Sequence, residues 1–116
     1  MPLETCGVVY QIPCNDCDQT YIGHSGRPLN TRVSEHQAAV RKSSVSSGVA
    51  DHTIKTGHTI DWESVDIIDR DPRTPPRRIR EAIAIRVHQP GMNRESGYEL
   101  PRIYDRILDV GEPRYA

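Results

Sequence analysis

The chain has 116 residues, of which 35% are hydrophobic and 27% are charged, and its net charge is −1. This length suits one domain with a small core. It contains no apolar run of about 20 residues, which excludes a membrane-spanning helix, and no apolar leader, so we expect an intracellular protein without membrane contact. Three cysteines in that compartment indicate metal binding rather than a disulfide framework.

Two short strands joined by a turn are predicted at the start of the chain. Residues Cys6–Ile12 and Gln19–Gly23 are rich in β-branched and aromatic side chains, which favour strands. Pro13 should end the first strand, and the Asn and Asp residues after it are typical of a turn. We therefore expect an antiparallel hairpin.

Two helices should follow the hairpin. Pro28 suits the first turn of the longer one, and four residues behind it recur at helical spacing. These residues are Leu29, Val33, His36 and Val40. The second, short helix is predicted over Val49–Thr56, where Gly57 is a stop signal.

The second half of the chain predicts one more strand and one more helix. Val65–Asp69 has the composition of a strand, and the proline-rich residues 71–76 indicate a turn. Arg77–His88 has helical periodicity. Its predicted apolar stripe consists of Ile79, Ile83 and Val87, with Ala82, Ile85 and Ala84 close by.

The order of these elements predicts an α/β (α+β) fold, in which a small three-stranded antiparallel sheet is flanked by helices. We expect a single domain over residues 1–116, with a core at about 6–95. The C-terminal extension, 96–116, should add a turn of helix around Ile103–Leu108.

Four cysteines and histidines have the spacing of a zinc site. Cys14 and Cys17 form a CxxC pair, and His52 and His58 follow with five residues between them. Two thiolates and two imidazoles complete a tetrahedral Zn²⁺ shell without an open position, so we expect a structural ion that compensates for the small core. Other side chains could replace one ligand: Cys6, His24 or His36.

Most basic residues are arginines, and several fall in one short stretch. This arginine cluster consists of Arg73, Arg77, Arg78 and Arg80. The planar guanidinium suits phosphate recognition. The other interpretation is a solvated helix face paired with nearby acids.

The two predicted hairpin strands resemble the GIY-YIG nuclease motif. Tyr21-Ile22-Gly23 matches its second half, and Val8-Val9-Tyr10 resembles the first half with Val in place of Gly. Downstream, Arg32-x3-His36 looks like the motif of the family's first helix. Glu81 looks like its metal-binding glutamate, and Asn93 like the asparagine that follows the last helix.

The cysteines between the two tyrosine motifs, with the later histidines, are similar to the Cys-Cys-His-His feature of Penelope-like retroelement endonucleases. The segments Gly7–Cys14 and His52–His58 resemble that branch as well. This resemblance implies a domain that is fused to a reverse transcriptase in the full-length protein, acts in the nucleus and cuts DNA for retroelement integration. It also implies two cofactors, a structural Zn²⁺ and a catalytic Mg²⁺ or Mn²⁺.

The resemblance implies a catalytic set, which consists of Tyr10, Tyr21, Arg32, His36, Glu81 and Asn93. Glu81 would hold the Mg²⁺ or Mn²⁺ ion, and Arg32 would clamp the scissile phosphate. Tyr10 is the candidate general base, with His36 as its rival, and Tyr21 would position water or phosphate. Asn93 could hydrogen-bond the active-site backbone or Tyr10.

Four further residues are expected to face DNA: Gly23, Arg27, Arg77 and Arg78. Gly23 would leave room for phosphate, since a side chain there could block its approach. Because the net charge is only −1, we expect partner segments to supply much of the DNA affinity.

These observations predict a divalent-metal-dependent DNA endonuclease that hydrolyses phosphodiester bonds. The alternative is a zinc-stabilised nucleic-acid-binding module without catalysis, which would have no use for the Glu81 carboxylate. A third interpretation is a redox or zinc-signalling protein built on CxxC. It leaves the pattern of Tyr, Arg and Glu residues unexplained.

Overall fold

The computed structural model describes residues 4–93. The elements in chain order are β1 (Val8–Pro13), β2 (Thr20–Ser25), α1 (Leu29–Arg41), α2 (Gly48–Thr56), a 3-10 helix (Trp62–Ser64), β3 (Asp66–Arg70) and α3 (Thr74–His88). The expected α+β architecture is confirmed, because the three strands form one antiparallel sheet in the order β2-β1-β3. The predicted turn around Ile103–Leu108 lies outside the described residues.

The central strand β1 is buried on both faces of the sheet. Alternate residues of a strand point to opposite faces, and on one face Tyr10 and Ile12 pack with Leu29 of α1 and Val49 of α2. On the other face Val9 packs with two apolar residues, Ile22 and Ile85. The sheet is therefore a middle layer between α1 and α2 on one side and α3 on the other.

The register places both motif tyrosines on the same face. Tyr10 of β1 is opposite Gly23 of β2, and Ile12 is opposite Tyr21. Cross-strand partners share a face, and so do residues two apart along a strand. The side chains of Tyr10 and Tyr21 therefore both lie under α1 and α2.

Several predicted boundaries differ from the structure by one to three residues, and those of β1 and α3 have clear physical reasons. β1 includes Pro13, whose carbonyl accepts a hydrogen bond from the Asp61 N–H at 3.0 Å, while Cys6 lies outside the strand and is exposed. Helix α3 begins at Thr74 and not at Arg77. Its first turn contains prolines, which fit there because the first N–H groups of a helix have no intrahelical acceptor.

The predicted apolar stripe of α3 is also wrong in part. The buried residues of this helix are Arg77, Ala82 and Ile85, whereas Val87 is 46% exposed. Within residues 4–93 no helix combines the length and apolarity that crossing a bilayer requires.

Helix α2 has clear signals at both ends. The hydroxyl of Ser47 accepts hydrogen bonds from the N–H groups of Val49 and Ala50, as an N-cap does. Gly57 ends the helix in the left-handed conformation, with φ at 73°, which confirms it as the stop signal. The helix is thus fixed at both ends, and Ser47 and His52, which belong to the two sites described next, lie at its start and in its middle.

Candidate functional sites

The predicted zinc ligands come together in one cluster, which we call the Cys2His2 cluster: Cys14, Cys17, His52 and His58. One ligand atom from each residue lies within 4.8 Å of all the others. Cys14 Sγ is 3.6 Å from His58 Nδ1, and Cys17 Sγ is 3.7 Å from His52 Nε2. Tetrahedral zinc geometry separates sulfur and nitrogen ligands by roughly 3.5 Å. The four residues therefore fit a metal ion such as zinc.

Backbone hydrogen bonds hold the CxxC turn against the chain around His58. The N–H of Asn15 donates to the carbonyl of Thr59 at 3.0 Å, and Cys14 forms an isolated β-bridge with Ile60. The Asp16 carboxylate accepts from the Thr59 N–H at 2.8 Å, and this hydrogen bond lowers the pKa of Asp16. The cluster therefore joins two segments that already pair, which suits a structural ion.

Three aromatic rings meet on the face of the sheet under α1 and α2. The ring centroid of Tyr21 lies 6.3 Å from that of Tyr10 and 5.1 Å from that of His36, and the Tyr10 and His36 centroids are 5.9 Å apart. Tyr10 Oη is 2.8 Å from His36 Nε2. Arg32, one turn before His36 on α1, is close enough for its charge to lower the pKa of Tyr10. The structure thus brings three of the six predicted catalytic residues, Tyr10, Tyr21 and His36, into contact and places Arg32 beside them.

Ser47 belongs to this group, although the sequence reasoning missed it. Its Oγ is 2.9 Å from His36 Nδ1, and it is buried. A serine that precedes a helix is a recognisable N-cap signal. Its contact with His36, which is eleven residues earlier, depends on how α2 packs on α1, and no local pattern encodes that.

Burial shifts the pKa of both central groups toward their neutral forms. It raises the pKa of Tyr10, with a further rise from Tyr21, while Arg32 acts in the opposite direction. It lowers the pKa of His36 to about 4. At neutral pH the pair is therefore a phenol and a neutral imidazole.

Glu81 of α3 lies within the same electrostatic environment. Burial raises the pKa of its carboxyl group to about 7, against the opposing effect of three arginines, Arg78, Arg32 and Arg77. Its charge also acts on Tyr10. A partly desolvated carboxylate is stabilised by a nearby cation, so a divalent ion fits this position.

The Glu81 site offers few protein ligands. Among residues 4–93 the Cys2His2 cluster is the only group of three or more Cys, His, Asp or Glu side chains that could hold an ion. Mg²⁺ commonly binds through one or two carboxylates and completes its shell with water and phosphate. The donor set at Glu81 therefore fits Mg²⁺ or Mn²⁺ only as a one-carboxylate site.

Asn93 hydrogen-bonds the backbone of the edge strand β2, which was one of its two expected partners. Its Oδ1 accepts from the Ile22 N–H and its Nδ2 donates to the Ile22 carbonyl, both at 2.8 Å. Next to it, the Met92 N–H donates to the Thr20 carbonyl at 3.0 Å. Residues 92–93 therefore fix the strand that carries Tyr21.

Gly23 is required by the shape of this site. A Cβ atom at this position would lie 2.5 Å from Tyr10 Oη. The side chain of Tyr10 is fully buried and has no room to move away. The sequence predicted that this glycine keeps space for phosphate, and the structure shows that it keeps space for the Tyr10 hydroxyl.

The predicted DNA-contacting arginines have different surroundings. Arg27 is exposed and donates two hydrogen bonds of 2.7 Å to Glu35, which also accepts from Arg32 at 3.0 Å. These hydrogen bonds, first those of Arg27 and then that of Arg32, lower the pKa of Glu35 to about 2. Arg78 is exposed as well.

Arg77 does not have the exposure that a surface phosphate contact needs. It is buried, its Nε donates to His24 Nδ1 at 3.1 Å, and its NH1 donates to the carbonyls of Asp71 and Pro72 at 3.3 Å. A guanidinium with these partners supports the packing of α3 on β2. The other two arginines of the cluster are paired with acids, Arg73 with Asp71 and Arg80 with Asp69.

Comparisons of this chain with protein families, with curated proteins and with solved structures give no match. The resemblance to GIY-YIG nucleases therefore stays a prediction, and the geometry of the two sites has to support any functional proposal.

Proposed function

We propose that the chain is a divalent-metal-dependent DNA endonuclease domain of the GIY-YIG type, stabilised by zinc at the Cys2His2 cluster. The observation that supports this most is the assembly around Tyr10. Tyr21, Arg32 and His36 gather at its ring and hydroxyl, and Glu81 lies within electrostatic range. Two tyrosines, an arginine and a half-buried carboxyl that act on one another electrostatically suit phosphodiester hydrolysis better than a redox or packing role.

The reaction needs a water molecule to attack phosphorus while the bond to the leaving oxygen breaks. The Arg32 guanidinium, with its fixed set of donors, would hold the scissile phosphate and offset its growing negative charge. The hydroxyls of Tyr10 and Tyr21 would orient the water and a phosphate oxygen. A divalent ion held by Glu81 would supply positive charge to the phosphate oxygens.

Proton removal from the water is assigned to Tyr10 in this proposal. Burial raises its pKa, so Tyr10 accepts a proton only when positive charge lies close to its oxygen. The Arg32 charge already lowers the pKa of Tyr10. The leaving oxygen takes its proton from solvent.

The domain context is part of the proposal. A Cys-Cys-His-His cluster beside a GIY-YIG-like hairpin suits a Penelope-like retroelement endonuclease, fused to a reverse transcriptase and acting on DNA in the nucleus. The net charge is −1, and three exposed arginines, Arg27, Arg73 and Arg80, are paired with acids. Partner segments would then supply much of the DNA affinity.

The test is cleavage of supercoiled plasmid in Mg²⁺ or Mn²⁺ by the wild type and by Glu81→Gln. We expect nicked or linear product from the wild type and at least about a 100-fold slower reaction from the variant, since the ion loses its protein ligand. Glu81→Gln should keep its zinc content and melting temperature. Glu63→Gln, which removes an exposed carboxylate from the 3-10 helix, is the matched control and should cut normally.

Two outcomes would contradict the proposal. Equal cleavage by the wild type and Glu81→Gln would show that Glu81 does not hold a catalytic ion. A wild-type protein that is folded, zinc-loaded and binds DNA without cutting it would support the binding module in place of the nuclease.

A further inference from the structure

Tyr10, His36 and Ser47 form a buried hydrogen-bonded group. The tautomer of His36 decides which residue donates each of the two hydrogen bonds. His36 bridges the other two, with Nε2 at 2.8 Å from Tyr10 Oη and Nδ1 at 2.9 Å from Ser47 Oγ. A neutral imidazole carries one proton, so one ring nitrogen donates and the other accepts. The partner that can act in only one direction fixes the tautomer.

Ser47 is that partner. Its Oγ accepts from the Val49 N–H at 3.2 Å and from the Ala50 N–H at 3.5 Å, because it caps α2. A hydroxyl oxygen has two lone pairs and one proton. With both lone pairs used by backbone N–H groups, the hydroxyl can reach His36 Nδ1 only as a donor.

We infer that Ser47 is a positioning residue that fixes His36 as the Nε2–H tautomer, so that His36 donates a hydrogen bond to Tyr10 and does not accept one. Tyr10 Oη then accepts from the His36 Nε2–H, and the positive charge of Arg32 acts on the same group. Both stabilise the phenolate form of Tyr10, which is the form that can take a proton from the attacking water.

This inference rests on the proposed function for its meaning and deepens it. It excludes His36 as the group that takes the proton from the attacking water, because its Nε2 already carries a proton. It leaves Tyr10 as the proton acceptor, with the His36 N–H and the Arg32 charge stabilising its phenolate form. The helix cap and the active site thereby share one hydroxyl group.

The tautomer can be measured without any cleavage assay. Long-range proton–nitrogen correlation spectra of the full zinc-loaded chain at pH 7 report which ring nitrogen of His36 is protonated, and His36→Gln assigns the signal. We expect the proton on Nε2 in the wild type and in Ser47→Thr, which keeps both the cap and the donor. A wild-type spectrum with the proton on Nδ1 would overturn the inference.

Ser47→Gly removes the hydroxyl while keeping most of the helix cap, since glycine is itself an acceptable N-cap. The His36 signal should then move toward the Nδ1–H form or a mixture. Ile54→Gly weakens the same helix at an exposed position away from His36, and its spectrum should match the wild type. An unchanged tautomer in Ser47→Gly, or an equal change in Ile54→Gly, would remove Ser47 as the determinant.

In the plasmid assay Ser47→Gly should lower kcat about tenfold at unchanged KM, with recovery in Ser47→Thr. A higher KM with an unchanged kcat would contradict a role that acts through Tyr10. If the wild type does not cut DNA, the proposed nuclease fails, while the spectra still decide the role of Ser47.

Discussion

The Cys2His2 cluster and the pocket around Tyr10 are both built from polar side chains, but they differ in how those side chains are satisfied. The cluster lies between segments that already pair through backbone hydrogen bonds, and its four ligand atoms point at one place. Around Tyr10, burial disfavours the charged forms of Tyr10, His36 and Glu81. The first arrangement stabilises the fold, and the second lowers stability in a way typical of functional sites.

The two regions are physically connected through shared elements. Helix α2 starts at Ser47's cap, which contacts His36, and carries His52 of the cluster in its middle. Strand β1 carries Tyr10 and runs directly into Cys14. A change at the cluster should therefore reach the pocket, whereas a change in the pocket should leave the metal in place.

The largest effect is expected when the cluster loses a ligand. Cys14→Ser should release zinc and lower the free energy of unfolding by about 3 kcal/mol or more, because metal binding is coupled to folding. For a domain of this size, that corresponds to a fall in melting temperature of more than about 10 °C. Thermal unfolding with metal analysis measures both quantities.

Cys6→Ser is the matched control, since Cys6 is exposed and outside the cluster. It should keep the zinc content and melting temperature of the wild type. Unchanged zinc content in Cys14→Ser, or equal losses in both variants, would refute a structural ion at the cluster.

A smaller loss is expected at the edge of the sheet. Asn93→Ala removes two hydrogen bonds to the Ile22 backbone and leaves a buried N–H and carbonyl without partners, at a cost of about 2 kcal/mol. Zinc content should not change, because β2 reaches the cluster only through the turn. Asn15→Ala, which removes an exposed side-chain hydrogen bond to Thr59, should have little effect on denaturant unfolding. Loss of zinc from Asn93→Ala would mean that the two regions are coupled in both directions.

How much of this the sequence predicted depends on the range of the contacts involved. The CxxC pair with its distant histidines and the α2 stop at Gly57 follow from local spacing, and the structure confirms the cluster and the stop. The three-stranded antiparallel sheet also followed from the order of elements, whereas the strand order β2-β1-β3 was not predicted. Each of these features is set by near neighbours or by simple connectivity.

The features that the sequence did not predict arise from contacts between elements. Arg77 looked like a surface arginine until α3 packed on β2 and buried it against His24. Ser47 lies before the predicted helix at Val49, and its contact with His36 arises only where α2 packs on α1. The buried face of α3 was misplaced for the same reason, since periodicity alone does not show which side meets the sheet.

The burial of His36 predicts how stability depends on pH. Its pKa is about 4 in the folded chain and near 6.5 when unfolded, so the unfolded chain takes up the proton first as the pH falls. Stability that is present above pH 6.5 is therefore lost toward pH 4, by about 2 kcal/mol between pH 6.5 and 5. His36→Gln should flatten that part of the curve in denaturant titrations.

Acid also weakens metal binding at the Cys2His2 cluster, equally in both proteins, so only the difference between the two curves reports on His36. Parallel curves would mean that His36 is not held neutral by burial, and the contrast drawn between the two regions would then weaken.

The smallest expected effect separates the pocket from the surface charges around it. Glu35 binds Arg27 and Arg32 at the same time, so its carboxylate occupies the donors that the proposal gives to a DNA phosphate. Glu35→Gln should leave the melting temperature unchanged, because these ion pairs are exposed to solvent. It should strengthen DNA binding about two- to fivefold at low salt and make the salt dependence steeper.

Glu63→Gln changes the net charge by the same amount without touching either arginine, so it separates a general charge effect from release of Arg27 and Arg32. Fluorescence anisotropy with a short duplex at several salt concentrations measures the affinities. Tighter binding in both variants would indicate only a less negative protein. Weaker binding in Glu35→Gln alone would mean that the carboxylate orients Arg32 for binding DNA. Glu35 would then support the DNA-binding site and not compete with DNA phosphate for Arg32.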